Sequence, residues 1–266
     1  MDPMSTQTAP SAPAAARSAP RPRRAVAPAA AYVRLEVSRT VRNPRAVLLS
    51  VLVPILLLLV LSGGDMDDDS RRGLLAGMAA YGAIGGGLFA VGPRLAAERT
   101  SGWLRQLRAT PMSPYAAIVG KGASGLLLAL ISAFVVGAVG RFGPAGISTV
   151  QWLELSVALA LCATVTTALG LLIGAACRSP ETAQGVSMLS YIGLSAVGGL
   201  WVPPDQFPSW LQDVGQVLPT YHVGEVARAI TLGTGVELAD CGIIAAWALA
   251  LGTAATVAWR HGTRVR

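Results

Sequence analysis

The sequence predicts an all-α, polytopic membrane protein, and three observations carry that prediction. Hydrophobic residues make up 53% of the 266 and charged residues only 13%, a balance that excludes an ordinary soluble domain. Six stretches carry no charge at all: 46–64, 73–93, 122–140, 155–177, 182–204 and 241–259. Each is 19 to 23 residues long, about what a helix needs to cross ~30 Å of hydrocarbon. The third observation is the distribution of basic residues. Six spans put both termini on one side, and 17 of the 21 Lys and Arg then share that side with them. Only Arg71, Arg72, Arg141 and Arg228 fall on the other. The bias predicts an N-in, C-in topology with the basic side in the cytoplasm. The net charge of +7 accordingly reflects orientation and attraction to anionic lipid, and no nucleic-acid partner is expected.

Taken in order, residues 1–28 are rich in Pro, Ala, Ser and Arg without periodicity, and read as a disordered cytoplasmic tail. They lack the apolar core and cleavage site of a secretory signal. The rest, 29–266, reads as one six-span domain. From about Ala30 to Arg42 the chain is amphipathic, with Val33, Val37 and Val41 at four-residue spacing and Arg34, Ser38 and Arg39 on other faces. A helix lying on the inner membrane surface fits, serving as an anchor or transmitting motion. Asn43-Pro44 ends it. The first span contains Pro54, which predicts a kink. Its end, Leu61-Ser62-Gly63-Gly64-Asp65, looks like an ATPase signature, but it closes a membrane span instead of opening a soluble helix. The acidic turn 65–69 has neither the glycine nor the distant glutamate of a calcium loop, and reads as a solvated hairpin tip. In the second span, Gly73/Gly77 and Gly82/Gly86 are small-xxx-small pairs that permit close helix contact, and Gly85–Gly87 predicts local loosening.

The stretch from Glu98 to Lys121 is too polar to lie inside a bilayer and too regular for slack loop. Between Ser101 and Ala109, Trp103, Leu104 and Leu107 share one helical face, and Arg105, Gln106 and Arg108 take the other. Thr110-Pro111 stops that helix, and Ser113-Pro114 opens the next as N-cap and first helical residue. The pattern alone supports two readings: a grip for a protein outside the membrane, or an interfacial helix with no partner. Lys121 is placed where it can snorkel to the inner surface. Gly120-Lys121 does not complete a P-loop, since Tyr115 stands at the place of its first glycine and Gly122 at that of its Ser/Thr.

In this stretch the chain resembles the coupling helix of ABC-transporter permeases of the type-2 exporter class, which includes bacterial drug and polysaccharide exporters. The resemblance rests on Glu98, Arg99, Gly102, Leu104, Leu107, Thr110, Pro111, Ser113, Pro114, Gly120 and Lys121, taken as an ordered set. It extends to the turn Arg42, Pro44, Arg45 after the interfacial helix, and to the long external segment 201–240. There Pro203, Pro204, Pro208, Pro219 and Arg228 match a pair of short re-entrant outer helices, expected within about 205–233 over Pro208–Val217 and His222–Leu232. What the resemblance implies is a coupling helix at about 98–113 that docks on a separate ABC ATPase. Glu98, Arg99, Gly102, Trp103, Leu104, Leu107, Thr110 and Pro111 would form the contact, with Glu98 pairing to the ATPase or bracing Arg99 and Arg105. It also implies two ATPase copies and a second permease copy or close paralogue, in the bacterial plasma membrane.

The remaining residues narrow the function. No charged residue falls well inside a span, which disfavours proton- or sodium-coupled carriers. His222 and His261 lie outside the spans, so no Ser/His or metal set at membrane depth suggests an intramembrane hydrolase. His222 and Glu225 at i,i+3 are too few for a metal site, Glu225 and Arg228 suit an ion pair, and Cys162, Cys177 and Cys241 read as small packing residues. Thr164, Thr166 and Thr167 can bond back to helix carbonyls or line a polar track. No cofactor is expected, and the resemblance implies a permease without its own ATP site, moving a hydrophobic or amphipathic small molecule (a drug, antibiotic or lipid-like product) outward with energy from a separate ATPase. The alternative is a membrane component of a signalling or assembly complex that does not transport.

Overall fold

The computed structural model describes residues 26–101, 114–143 and 145–264. The expected tail up to residue 25, and Gly102, Trp103, Leu104, Leu107, Thr110 and Pro111 of the coupling stretch, lie outside the described residues. Among the described residues all regular structure is helical. The chain begins with α1 (Val26–Val41), α2 (Pro44–Val47), a π-helical turn (Leu48–Leu52) and α3 (Val53–Leu61). Then come α4 (Asp68–Phe89), α5 (Gly92–Thr100), α6 (Pro114–Phe142), α7 (Thr149–Cys162) and α8 (Thr164–Ala176). The last five elements are α9 (Pro180–Val197), a 3₁₀ turn (Pro204–Gln206), α10 (Ser209–Val217), α11 (Pro219–Leu232) and α12 (Leu238–Arg264). Among the described residues four stretches are long and apolar enough to cross a membrane: 68–100, 118–142, 149–176 and 238–259. The charge-free runs 46–64 and 182–204 form shorter helices, Leu48–Leu61 and α9. The helix expected from Ala30 begins earlier, at Val26.

Local chemistry sets the helix starts. Asp67 caps α4, its carboxylate accepting the Ser70 N–H at 3.4 Å, and Asp68 and Asp69 sit in the first turn where the helix dipole favours them. The acidic tip is thus the N-terminus of the second span. Ser148 and Gln151 form a reciprocal capping box that opens α7. Ser179 caps α9 ahead of Pro180 at its first turn. Two short helices form in the segment 205–233, the second starting at Pro219, ahead of the expected His222, and Gly233, at φ 75°, closes it.

Helix α4 is the hub, with every residue from Leu74 to Phe89 buried. Around it stand α3, α6, α8, α9 and α11. Its glycines are the reason they can come so close. A methyl on Gly86 would lie 2.7 Å from the Ala129 backbone nitrogen on α6, and one on Gly77 would overlap the Leu200 carbonyl. One on Gly82 would meet the Ser50 carbonyl and the Ser132 hydroxyl, and one on Gly87 the Thr166 hydroxyl. The expected close contact therefore forms through Gly77, Gly82 and Gly86, whereas Gly73 has open space. The expected loosening at Gly85–Gly87 does not occur. Neighbours enclose the helix there, and it runs unbroken to Phe89. The break comes at Ala90–Val91, ahead of Pro93, which has no N–H to continue the ladder.

The first apolar stretch is irregular for a related reason. Val53 donates its N–H to Leu48 in a π-type bond, and Pro54 has no N–H, so the Leu49 and Ser50 carbonyls lose their ordinary partners. Tyr191 of α9 donates its hydroxyl to the Leu49 carbonyl at 3.3 Å, and Ser132 of α6 donates to that of Ser50. Pro54 is tolerated in this packed helix because neighbouring side chains satisfy the freed carbonyls. Tyr191 is held in turn by stacking on Tyr81, with centroids 4.2 Å apart, and edge-on against Phe89 at 5.1 Å.

These contacts predict a contrast between glycines. Gly86→Ala should destabilise the bundle by about 1–3 kcal/mol, the scale of overpacking, because backbone cannot swing aside. Gly185→Ala on α9, where nothing lies within 4 Å, should be neutral or stabilising. Thermal unfolding of the two variants in the same detergent checks this, and equal melting temperatures would contradict it.

Candidate functional site at the base of the coupling segment

The residues on either side of segment 102–113 converge on one buried cluster of charge. Glu36 on α1 is fully buried, as is Lys121 near the start of α6. Lys121 Nζ lies 3.1 Å from Glu36 Oε1 and 2.7 Å from Glu98 Oε2 on α5. Arg94, one turn before Glu98 on α5, places Nη2 3.4 Å from Glu36 Oε1 and donates from Nη1 to the Thr40 hydroxyl at 2.5 Å. The charges alternate along Glu98, Lys121, Glu36 and Arg94, two of each sign. Such balance matters because a charge taken from water must find its opposite at short range.

Helical periodicity assembles the cluster. Glu36 and Thr40 lie one turn apart on the buried face of α1, and the Thr40 hydroxyl also donates back to the Glu36 carbonyl at 2.9 Å. Arg94 and Glu98 are likewise one turn apart on α5, so one points to α1 and the other to α6. Arg99 leaves α5 on another side and donates to the carbonyls of Gly174 and Ala175, in the last turn of α8. A cation at a helix C-terminus is favoured by the helix dipole and by the orphan carbonyls there. Gly174 makes room, since a methyl on it would stand 2.7 Å from the Gly92 carbonyl oxygen. Helix α5 is therefore held by charge to α1, α6 and α8.

This geometry revises several sequence expectations. Lys121 does not snorkel to the surface; it is enclosed between two carboxylates, which stabilise its charge where it stands. Glu98 finds its partner in Lys121, and Arg99 turns to the α8 carbonyls. Glu36, Thr40 and Arg94 had no assigned role, although a lone acid on the apolar face of α1 was the available signal. At the other end of the bundle, the Glu225–Arg228 pair forms as expected, at 2.7 Å. Arg228 also donates to the Gly199 carbonyl at 3.1 Å. His222 faces Asp240 Oδ1 at 2.7 Å and donates from Nε2 to the Gln216 carbonyl at 2.8 Å, so its ring ties α10, α11 and α12 together. Thr164 and Thr166 bond back to the carbonyls of Leu161 and Ala163.

Breaking the alternation should be costly. Lys121→Met leaves Glu36 and Glu98 short of a cation and should destabilise the protein by about 3–5 kcal/mol, the usual scale for orphaning a buried charge. Adding Glu36→Gln returns the cluster to one Glu and one Arg and should recover part of that loss. Melting temperatures of the single and double variants give the coupling, and strictly additive losses would argue against a shared cluster.

Comparison with known proteins agrees with this architecture. Residues 65–258 match the family model described as ABC-2 family transporter protein. The chain is 30% identical over 207 residues to the putative transport permease YvfS of Bacillus subtilis (strain 168), covering 74% of this chain and 83% of that one. It is 28% identical over 151 residues to the inner membrane transport permease YhhJ of Escherichia coli (strain K12), covering 55% of this chain and 40% of the relative. Matched over most of its length and built as a multi-pass helical bundle, the chain belongs to the ABC-2 family of transporter permeases.

Proposed function

We propose that this permease is the membrane subunit of an ATP-driven exporter, and that residues 98–113 carry its contact with a separate ATPase. The observation that supports this reading most directly is the ion-paired base of the segment. Glu98 at its start and Lys121 beyond its end are joined at 2.7 Å and tied to α1 through Glu36, so a push on the segment reaches α1, α5 and α6 together. Gly102, Trp103, Leu104, Leu107, Thr110 and Pro111 form the docking helix and its stop, while Glu98 and Arg99 set its footing on the bundle. Two permease copies, or one and a close paralogue, work with two ATPase subunits. Nucleotide-driven closure of the ATPases draws the two segments together and tilts the spans. The cargo is a hydrophobic or amphipathic small molecule carried outward, in keeping with the apolar walls of the bundle.

In this reading all six apolar helices cross the membrane, with both termini in the cytoplasm. Single cysteines at positions 65–70 and 205–215 should react with an impermeant maleimide in intact cells, and those at 101–112 should not. Labelling of the latter from outside would overturn the orientation and the docking assignment with it.

The docking face itself is testable. Trp103, Leu104 and Leu107 would each contribute about 1.5–3 kcal/mol if fully enclosed by the partner. The double change Leu104→Asp with Leu107→Asp should abolish co-purification of the ATPase and export, while expression and membrane insertion remain. Arg105→Ala and Arg108→Ala, on the opposite face, should do much less. Unchanged recovery of the ATPase with the double variant would leave the assignment without support.

A further inference from the structure

The break between α4 and α5 opens a cavity of about 190 Å³ at the same end of the bundle as the charge cluster. Its walls come from three places where a helix starts or stops: the turn at Asn43, the bend before Pro93, and the first turns of α9. The lining is divided in chemistry. Asn43, Arg94 and Gln184 supply amide and guanidinium groups, and Leu49, Phe89 and Ala97 supply apolar surface. Among the described residues that line it Arg94 is the charged one, and its guanidinium is paired on its far side with Glu36. The guanidinium has five N–H donors, more than Thr40 and Glu36 Oε1 occupy. A planar donor fork beside two amides suits a carboxylate or a phosphate.

Size limits what can enter. A whole drug-sized ligand fills roughly 300–1,000 Å³, so this space admits a head group and leaves the rest of the molecule outside. Leu52 and Leu56 are exposed on the first span, within two turns of Leu49, and give an apolar chain a track to lie on. The backbone of that track is the π-helical turn, a form that recurs at functional sites.

We propose that this cavity binds the anionic head of an amphipath, a phosphate monoester or carboxylate on an apolar chain, with Arg94, Asn43 and Gln184 as its donors. Treating the occupant as exported cargo rests on the export reading above; the binding itself does not. The same chemistry is offered by a bilayer lipid and by a soluble acidic amphipath, and the experiment separates them.

The full-length protein in phosphatidylcholine nanodiscs should bind radiolabelled n-dodecyl phosphate saturably, one per chain. Ala97→Phe fills the cavity and Gln184→Leu removes a donor, and neither replaces a residue of the charge cluster. Each should weaken binding at least tenfold while the melting temperature holds. Arg94→Gln should do so too, but it also disturbs Glu36, so the decision lies with the other two. Dodecyltrimethylammonium should fail to compete, and inorganic phosphate should compete only weakly. Folded Ala97→Phe and Gln184→Leu proteins that bind like the parent, or equal competition by the ammonium, would overturn the proposal. Displacement by phosphatidylglycerol titrated into the nanodisc would identify a resident lipid as the occupant. Retention against it would identify a soluble acid, and either result supports the site. Absence of probe binding would leave the docking assignment intact, just as recovery of the ATPase with the Leu104/Leu107 variant would leave this site intact.

Discussion

Close approach to the backbone of α4 is the constraint on which the rest of the bundle depends. Between helices in lipid there is no water to exclude, so association relies on packing and on hydrogen bonds. Gly77, Gly82, Gly86 and Gly87 let four different neighbours come within a distance that one methyl would close. Dispersion falls off steeply with separation, so a helix whose neighbours touch its backbone gains far more contact than one held off by leucines. The same closeness places α6 and α9 near the first span, where their hydroxyls can reach its carbonyls.

That proximity makes the irregular first span possible. Pro54 and the π-type bond of Val53 strand two carbonyls in a region with no water to satisfy them. Ser132 and Tyr191 supply the missing donors only because α6 and α9 are already held against α4. Gly85 gives the Tyr191 ring its room, since a methyl there would crowd it at 3.1 Å. The π-helical turn in one helix is thus supported by the glycines of another.

Much of this architecture was legible because it is written in composition and period. Charge-free runs gave the helices, prolines gave their breaks, and small-residue spacing pointed to the hub. The Glu225–Arg228 contact followed from spacing on a single helix, and the short helix pair before it from the family resemblance. What stayed hidden was tertiary. Lys121 at a span boundary suggested snorkelling, because a sequence window cannot show that two carboxylates, Glu36 and Glu98, arrive from distant segments to enclose it. The valine stripe on α1 was visible, but Glu36 on the same face signals pairing only when its partner is known. Gly85–Gly87 misled for the opposite reason: helix propensity is a weak local preference, and enclosure on every side overrides it.

The charge cluster also explains why a short segment could act on a whole bundle. Segment 102–113 stands between α5 and α6, and a force on it would be lost if its two ends could move separately. Lys121 prevents that by holding Glu98 across the base, and Glu36 extends the bond to α1. Arg99 adds α8 through the carbonyls of Gly174 and Ala175. A rim of hydrated surface ion pairs would serve poorly, being screened and short of a fixed geometry. Buried and alternating, these charges are hard to pull apart, because separating any one leaves its neighbour unpaired in a medium that does not solvate it. Desolvation holds these pairs together, and through them α1, α5, α6 and α8 are joined at this end of the molecule.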